Sequence, residues 1–363
     1  MIEENKMKSS KIKMITLIIT TCSIITLMLL TGCQTKKKVL FVSNWSDYLD
    51  PELKTKFEQE NNCIIRLSTY ESNENLLTKI LSSKESYDIV FPSGDHVTIM
   101  KMKNLLEPID KNKLNNYANL DTNILLKAQS FDPENQYAIP YFWGLTGLMY
   151  NKTHIPEAVL ASNSWNVLAD THFSGKSKIT MLDDAREVIG AALITVGKDP
   201  NDTSKEALEA AMKILEIWDR NITQFDSDSY KNEVPDGTTW ISQAYNGDAL
   251  QVMSENPSID FFLPSEGASL WIDSMVILKS SQNKDLAYKF IDFLLDAENA
   301  FTNAQYTSYA TPNQKAYEKL DDEIKNNKLI YPDKEYLDRC FMLRFLGDDV
   351  KRIDTLYELI KTN

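Results

Sequence analysis

Between residues 39 and 93 the chain alternates short apolar runs with segments of helical spacing, and this limits the fold more than any other feature. Val39-Leu40-Phe41-Val42 reads as a buried strand. Residues 51–61 (PELKTKFEQEN) open on Pro51, which suits a helix start. Ile64-Ile65-Arg66-Leu67 reads as the next strand. Residues 72–83 (SNENLLTKILSS) offer Ser72 as an N-cap and apolar residues at helical spacing. Tyr87-Asp88-Ile89-Val90-Phe91 is a third strand, ended by Pro92-Ser93-Gly94. A β-α-β-α-β order argues for a mostly parallel sheet covered by helices. In such sheets ligands sit beyond the carboxyl ends of strands. Two loops hold that position, Asn44-Trp45-Ser46-Asp47-Tyr48 and Pro92-Ser93-Gly94-Asp95-His96.

A second unit follows. Residues 147–152 (GLMYNK) read as a strand leaving the first lobe, and Lys178-Ile179-Thr180-Met181 as another strand. Leu182-Asp183-Asp184-Ala185-Arg186-Glu187 opens a helix that continues through 195. Residues 203–218 form an amphipathic helix with Thr203 as its cap, and 284–295 another helix whose charged side is a solvated face. There is no internal repeat in the chain beyond the leader.

The first residues read as an address. Lys6, Lys8, Lys11 and Lys13 precede an uncharged apolar run, 14–31, and Leu30-Thr31-Gly32-Cys33 resembles a bacterial lipobox. Cleavage before Cys33 would leave a lipid-anchored chain, with 33–38 as a polar tether; an uncleaved anchor helix is the alternative. The remaining chain is long enough for two domains. Removing four Lys and two Glu from 39 basic and 52 acidic residues leaves a net charge of about −15. That balance does not suit nucleic acid. It suits a cationic partner or solubility alone. Cys63 and Cys340 pair or remain separate buried thiols. His96, His154 and His172 show no metal-ligand spacing, and no metal or cofactor is expected.

A site for an organic diamine or triamine needs carboxylates for the ammonium groups and flat rings for the methylene spine. The sequence supplies that combination repeatedly. Trp45 and Tyr48 flank Asp47. Asp184 and Glu187 lie three apart at a helix start, on one face. Trp271 and Asp273 lie two apart, on one side of an extended segment. Tyr309 sits in a loop with Pro312 and Asn313. Each has a plainer reading: Trp45 as core, Asp184 and Glu187 as acids favoured by the helix dipole, Trp271 as packing and Asp273 as a loop cap. The conjunction favours a site.

The same segments carry a resemblance. Asn44–Tyr48, Tyr87–Ser93, Ile139-Pro140-Tyr141-Phe142-Trp143-Gly144, Leu182–Val188, Leu270-Trp271-Ile272-Asp273-Ser274 and Thr311-Pro312-Asn313 resemble, in collinear order, segments of the bacterial spermidine/putrescine-binding proteins. The resemblance implies an α/β, two-lobed periplasmic-binding-protein fold with crossing hinge strands and the ligand cleft between the lobes. It places lobe one at 38–146 plus 273–317 and lobe two at 147–272 plus 318–363. It implies capture of polyamines outside the cytoplasm and delivery to the permease subunits of an ABC transporter, by a monomer without enzymatic activity. Trp45 and Tyr48 would stack on the ligand and Ser93 would offer a hydroxyl. Asp184 and Glu187 would pair with one ammonium and Asp273 with another. Tyr245, Trp271 and Tyr309 would be further aromatic walls. Asp95 stands where the family commonly has an aromatic residue, so one wall is traded for a further carboxylate. Leu343-Arg344 occupies a stretch where the family places a Gln; an Arg344 turned into the cleft would repel polyamines.

An enzyme finds little support: there is no Gly-x-Ser-x-Gly, His-Glu-x-x-His or Gly-rich phosphate loop. Iron would want paired Tyr with His or carboxylate ligands, and anions would want a helix start free of acids. A sensor of the same fold for another cationic amine is the alternative to transport.

Overall fold

The computed structural model describes Met7 and residues 37–82, 87–175 and 178–362. The expected leader 1–32, Met7 apart, lies outside the described residues, as do Cys33 and the tether residues Gln34–Lys36. The chain divides into Met1–Lys38 and a compact unit, Val39–Asn363.

Within the compact unit the expected alternation forms. The strands are β1 (Lys38–Trp45), β2 (Cys63–Tyr70), β3 (Ile89–Val90), β4 (Ala138–Asn151), β5 (Ile179–Met181), β6 (Ile222–Phe225), β7 (Ile241–Tyr245), β8 (Ile259–Phe262) and β9 (Leu270–Ile277). They run in the order β2-β1-β3-β9-β4-β7-β5-β6, with β8 also on β4. β1 is parallel to β3, and β5 is parallel to β6 and β7. The central pairings, β3 with β9 and β4 with β9, β7 and β8, are antiparallel.

β4 ties the lobes together. Its first half, Ala138–Leu145, pairs with β9, and Thr146–Tyr150 pairs with β7. Only its end was expected as a strand. Pro140 lacks a backbone donor and the register shifts between Pro140 and Phe142, which hides the first half from a periodicity reading. β3 is shorter than expected. The Phe91 carbonyl accepts from Trp45 Nε1 at 2.9 Å and from the Tyr70 hydroxyl at 2.6 Å, so it serves side chains instead of the ladder.

Both faces of the sheet are covered, as its crossovers require. In the first lobe Ile89, Phe91, Met275 and Ile277 join Leu40 and Val42 in one cluster, while the alternating Val90 and Val276 join Leu76 and Met100 in another. In the second lobe Leu148 and Ile241 pack with Val188, Leu215 and Ile353, and Met149 and Ala244 with Tyr230 and Phe261. Segment 318–342 touches both lobes: Ile330 and Tyr331 pack with Val90 and Trp143, Leu329 packs near Tyr230, and the Leu329 carbonyl accepts from Asn246.

The helix ends differ slightly from expectation. The helix Asn73–Ser82 starts after Ser72, whose hydroxyl accepts from Asn75 N–H as a cap should. The helix Lys205–Asp219 is capped by Ser204, which accepts from Ala207 N–H, rather than by Thr203. Lys284–Leu295 is helical as expected. Cys63 and Cys340 are not joined by a disulfide: Cys63 lies with Leu40 and Phe57, and Cys340 packs on the other face of the sheet.

Candidate functional site

The ends of β1, β3 and β7, the start of the helix Ala185–Thr195 and the crossing strand β9 deliver side chains into one cleft. It encloses about 1080 Å³, part of it open to solvent. All ten expected residues line it: Trp45, Tyr48, Ser93, Asp95, Asp184, Glu187, Tyr245, Trp271, Asp273 and Tyr309.

Asp273 sits in the middle of β9 and is held by two hydroxyls. It lies opposite Phe142 of β4, and Ser93 bridges to it from beyond β3. Tyr48 donates its hydroxyl to Asp273 Oδ2 at 2.9 Å and Ser93 donates to Oδ1 at 2.7 Å. The Ser93 hydroxyl therefore serves the carboxylate, and accepts from Asn73 Nδ2 at 3.1 Å. Burial pushes the Asp273 pKa up to about 7, against the two hydroxyls and with help from the charge of Asp95.

Asp184 is the N-cap of the helix Ala185–Thr195, not a member of its first turn. It accepts from the backbone N–H groups of Arg186 at 2.8 Å and Glu187 at 3.1 Å. This is an ordinary N-cap, a side-chain oxygen accepting from the first free backbone N–H groups of the helix. The plainer reading holds for Asp184, which caps the helix, and the capping carboxyl also lines the cleft. Burial and the mutual repulsion of the two acids raise the Glu187 pKa; burial and Glu74 raise that of Asp184. The Thr146 and Ser269 hydroxyls oppose the rise at Glu187 and have no other hydrogen-bond partner among the described residues.

Asp95 behaves differently. Burial would raise its pKa, but His96, 3.2 Å away, holds it below the usual carboxylate range. His96 Nε2 also lies 3.5 Å from Glu74. The further carboxylate expected at Asp95 is thus partly satisfied by its neighbour.

The rings form a continuous wall. Tyr48 meets Tyr309 at 5.3 Å, Tyr309 meets Trp271 at 5.2 Å and Trp271 meets Tyr245 at 5.8 Å, all near edge-to-face. Trp45 packs 4.5 Å from Tyr70 and reaches both first-lobe clusters, so it is core and cleft wall at once. Gly144 makes room for the wall. A Cβ there would lie 2.4 Å from Trp271 Cζ2 and 2.5 Å from Asn246 Oδ1. Gly144→Ala is expected to cost about 1–3 kcal/mol in chemical denaturation and to weaken ligand binding, because the indole must move. An unchanged unfolding midpoint would contradict this packing.

Sequence reasoning missed several lining residues. Asp248 accepts from Tyr309 at 2.6 Å and from Tyr230 at 2.7 Å. Its place three residues after Tyr245 repeats the spacing of Trp45 and Tyr48, a signal that was legible. Glu74, Arg186 and Lys231 also line the cleft, and so does His96, which ends the second of the two loops expected at the ligand side. The two cations had no such signal, because a cation counts against the ligand chemistry. Arg344 does not enter: it is paired with Asp199 at 2.9 Å, and its carbonyl accepts from Arg186. Among the described residues, eight carboxylates face the cleft against Arg186, Lys231 and His96.

The model of the bacterial extracellular solute-binding protein family matches residues 52–332. The chain is 37% identical over 298 residues to the spermidine/putrescine-binding periplasmic protein of Escherichia coli, covering 82% of this chain and 84% of that one. A spermidine/putrescine ABC transporter structure from Listeria monocytogenes superposes with a TM-score of 0.82 at 38% identity, covering 90% of this chain and 99% of that one. A lipoprotein of Treponema pallidum superposes with a TM-score of 0.79 at 28% identity, covering 90% of this chain and 100% of that one.

Proposed function

The chain belongs to the bacterial extracellular solute-binding proteins, and from that premise we propose that its cleft captures linear polyamines, spermidine or putrescine, for an ABC import system. It is a binding protein, not an enzyme, and works outside the cytoplasm. The observation that carries the ligand class is Asp273. A buried carboxylate held by two hydroxyls, with no cation on it among the described residues, costs several kcal/mol unless a charge compensates it. An ammonium with an alkyl tail on the Tyr48–Tyr309–Trp271 wall supplies that charge. Asp184 and Glu187 take a second ammonium in this reading.

Anchoring through lipid on Cys33 and docking of a monomer to permease subunits belong to the same proposal, supported by the lipobox resemblance and by the Treponema lipoprotein. So does the division into lobes at 147, 273 and 318, in which 318–342 contacts both sides.

Titration calorimetry of fragment 34–363, which contains the whole compact unit, tests the ligand class. Micromolar or tighter binding of at least one of spermidine, spermine, putrescine and cadaverine is expected. A folded protein that takes up none of them would overturn the reading.

A further inference from the structure

The carboxylates of the cleft fall into linked stations. Asp184, Glu187, Asp95 and Glu74 gather with His96 and Arg186 at one end. Ser93 neighbours Asp95 in the chain and bonds Asp273, whose other oxygen is held by Tyr48. Tyr48 packs on Tyr309, and Tyr309 bonds Asp248. The far end is Asp248 and Asp228, and there the protein supplies its own cation, which also reaches Asp47 just outside the lining. Lys231, from the helix Tyr230–Asp236, lies 2.7 Å from Asp228 and 3.4 Å from Asp47, with its side chain only 20% exposed. Burial opposes its charge, but Asp248, Asp228 and Asp47 together hold it protonated.

We propose that Lys231 is a resident cation that occupies the Asp228–Asp248 end of the cleft, and so sets how many ligand ammonium groups it accepts. This rests on the polyamine reading above and deepens it. With Lys231 in place, two stations remain for ligand nitrogen: Asp273 and the Asp184–Glu187 end. A diamine satisfies both. A third or fourth ammonium on a longer ligand meets the Lys231 charge at short range, where repulsion outweighs the added contacts. The other buried cation plays no such part. Arg186, at the other end, has its two terminal nitrogens engaged by the Arg344 carbonyl and Asn201 Oδ1, and its charge bears on Asp95, Asp184 and Glu187 rather than on the Lys231 end. The Lys231–Asp47 pair also joins an element of the first lobe to one of the second. That contribution to closure is common to every ligand and cancels in a ratio of affinities.

The test compares wild type, Lys231→Met and Lys231→Gln by calorimetry with putrescine, cadaverine, spermidine and spermine, each variant checked by thermal unfolding. Lys152→Met, which removes a charge paired with Asp260 at 3.8 Å outside the cleft, controls for net charge. The expected result is a rise of about tenfold or more in the spermidine-to-putrescine affinity ratio in both Lys231 variants and little change in the control. A ratio that stays put, or that moves equally in Lys152→Met, would overturn the proposal while leaving polyamine capture standing. Absence of binding to the wild type would instead overturn the polyamine reading itself.

Discussion

Asp273→Asn is expected to weaken polyamine binding by roughly 2–5 kcal/mol, about thirtyfold or more in affinity, without destabilising the free protein. The amide keeps nearly the same volume and remains polar toward Tyr48 and Ser93, whose hydroxyls can rotate to suit an oxygen or an NH₂ group. What disappears is the charge. In the free protein that charge is a cost, because the carboxyl is buried with no cation in contact among the described residues, and its pKa of about 7 reflects that cost. The thermal midpoint of the free variant should therefore hold or rise at neutral pH and above, while affinity collapses. This is the pattern of a site whose destabilisation serves binding. Calorimetry beside thermal unfolding checks both halves. A variant that loses stability and affinity together would make Asp273 a packing residue.

The second large effect is on pH. Asp273 titrates near 7, and Glu187 is pushed upward by burial and by Asp184, so near neutrality the free cleft holds protons on its acids. An arriving ammonium must displace them. Affinity should rise with pH between about 6 and 8, by up to about tenfold per unit for each proton released. The stability of the free protein should move the opposite way. For Asp273 the folded pKa, about 7, lies above its ordinary value of 3.8. Its contribution is thus fully present below that ordinary value and is lost as pH rises through about 7. Calorimetry in buffers of different ionisation enthalpy reads the proton release directly. A flat affinity profile with no buffer dependence would show that these acids are already ionised.

The fold was legible where local signals agree. Pro51, Ser72 and the helical spacing after each of them marked the first crossovers, and the apolar runs at 39–42 and 64–67 marked strands that the structure extends only at their ends. The crossing strand was half hidden, because Pro140 breaks the pattern in a segment whose other residues are buried on both faces. The site was legible because a cationic ligand demands two kinds of residue together. Trp271 and Asp273 stand two apart on one side of a strand, and Trp45 and Tyr48 stand at one strand end. What escaped was pairing across the cleft. Asp47 and Lys231 are 184 positions apart, and nothing local marks either as the other's partner. The contribution of His96 was hidden for a related reason. Its neighbour Asp95 is visible in sequence, but the burial and the approach of Glu74 that make its charge matter come from the fold.

The most direct test is a crystal structure of fragment 34–363 grown with spermidine near pH 8. One ligand nitrogen is expected within hydrogen-bond distance of Asp273 and another beside Asp184 and Glu187, with the methylenes lying along the Tyr48, Tyr309 and Trp271 rings. A ligand bound outside the cleft, or inside it with no nitrogen on Asp273, would contradict the assignment of this cleft as the polyamine site.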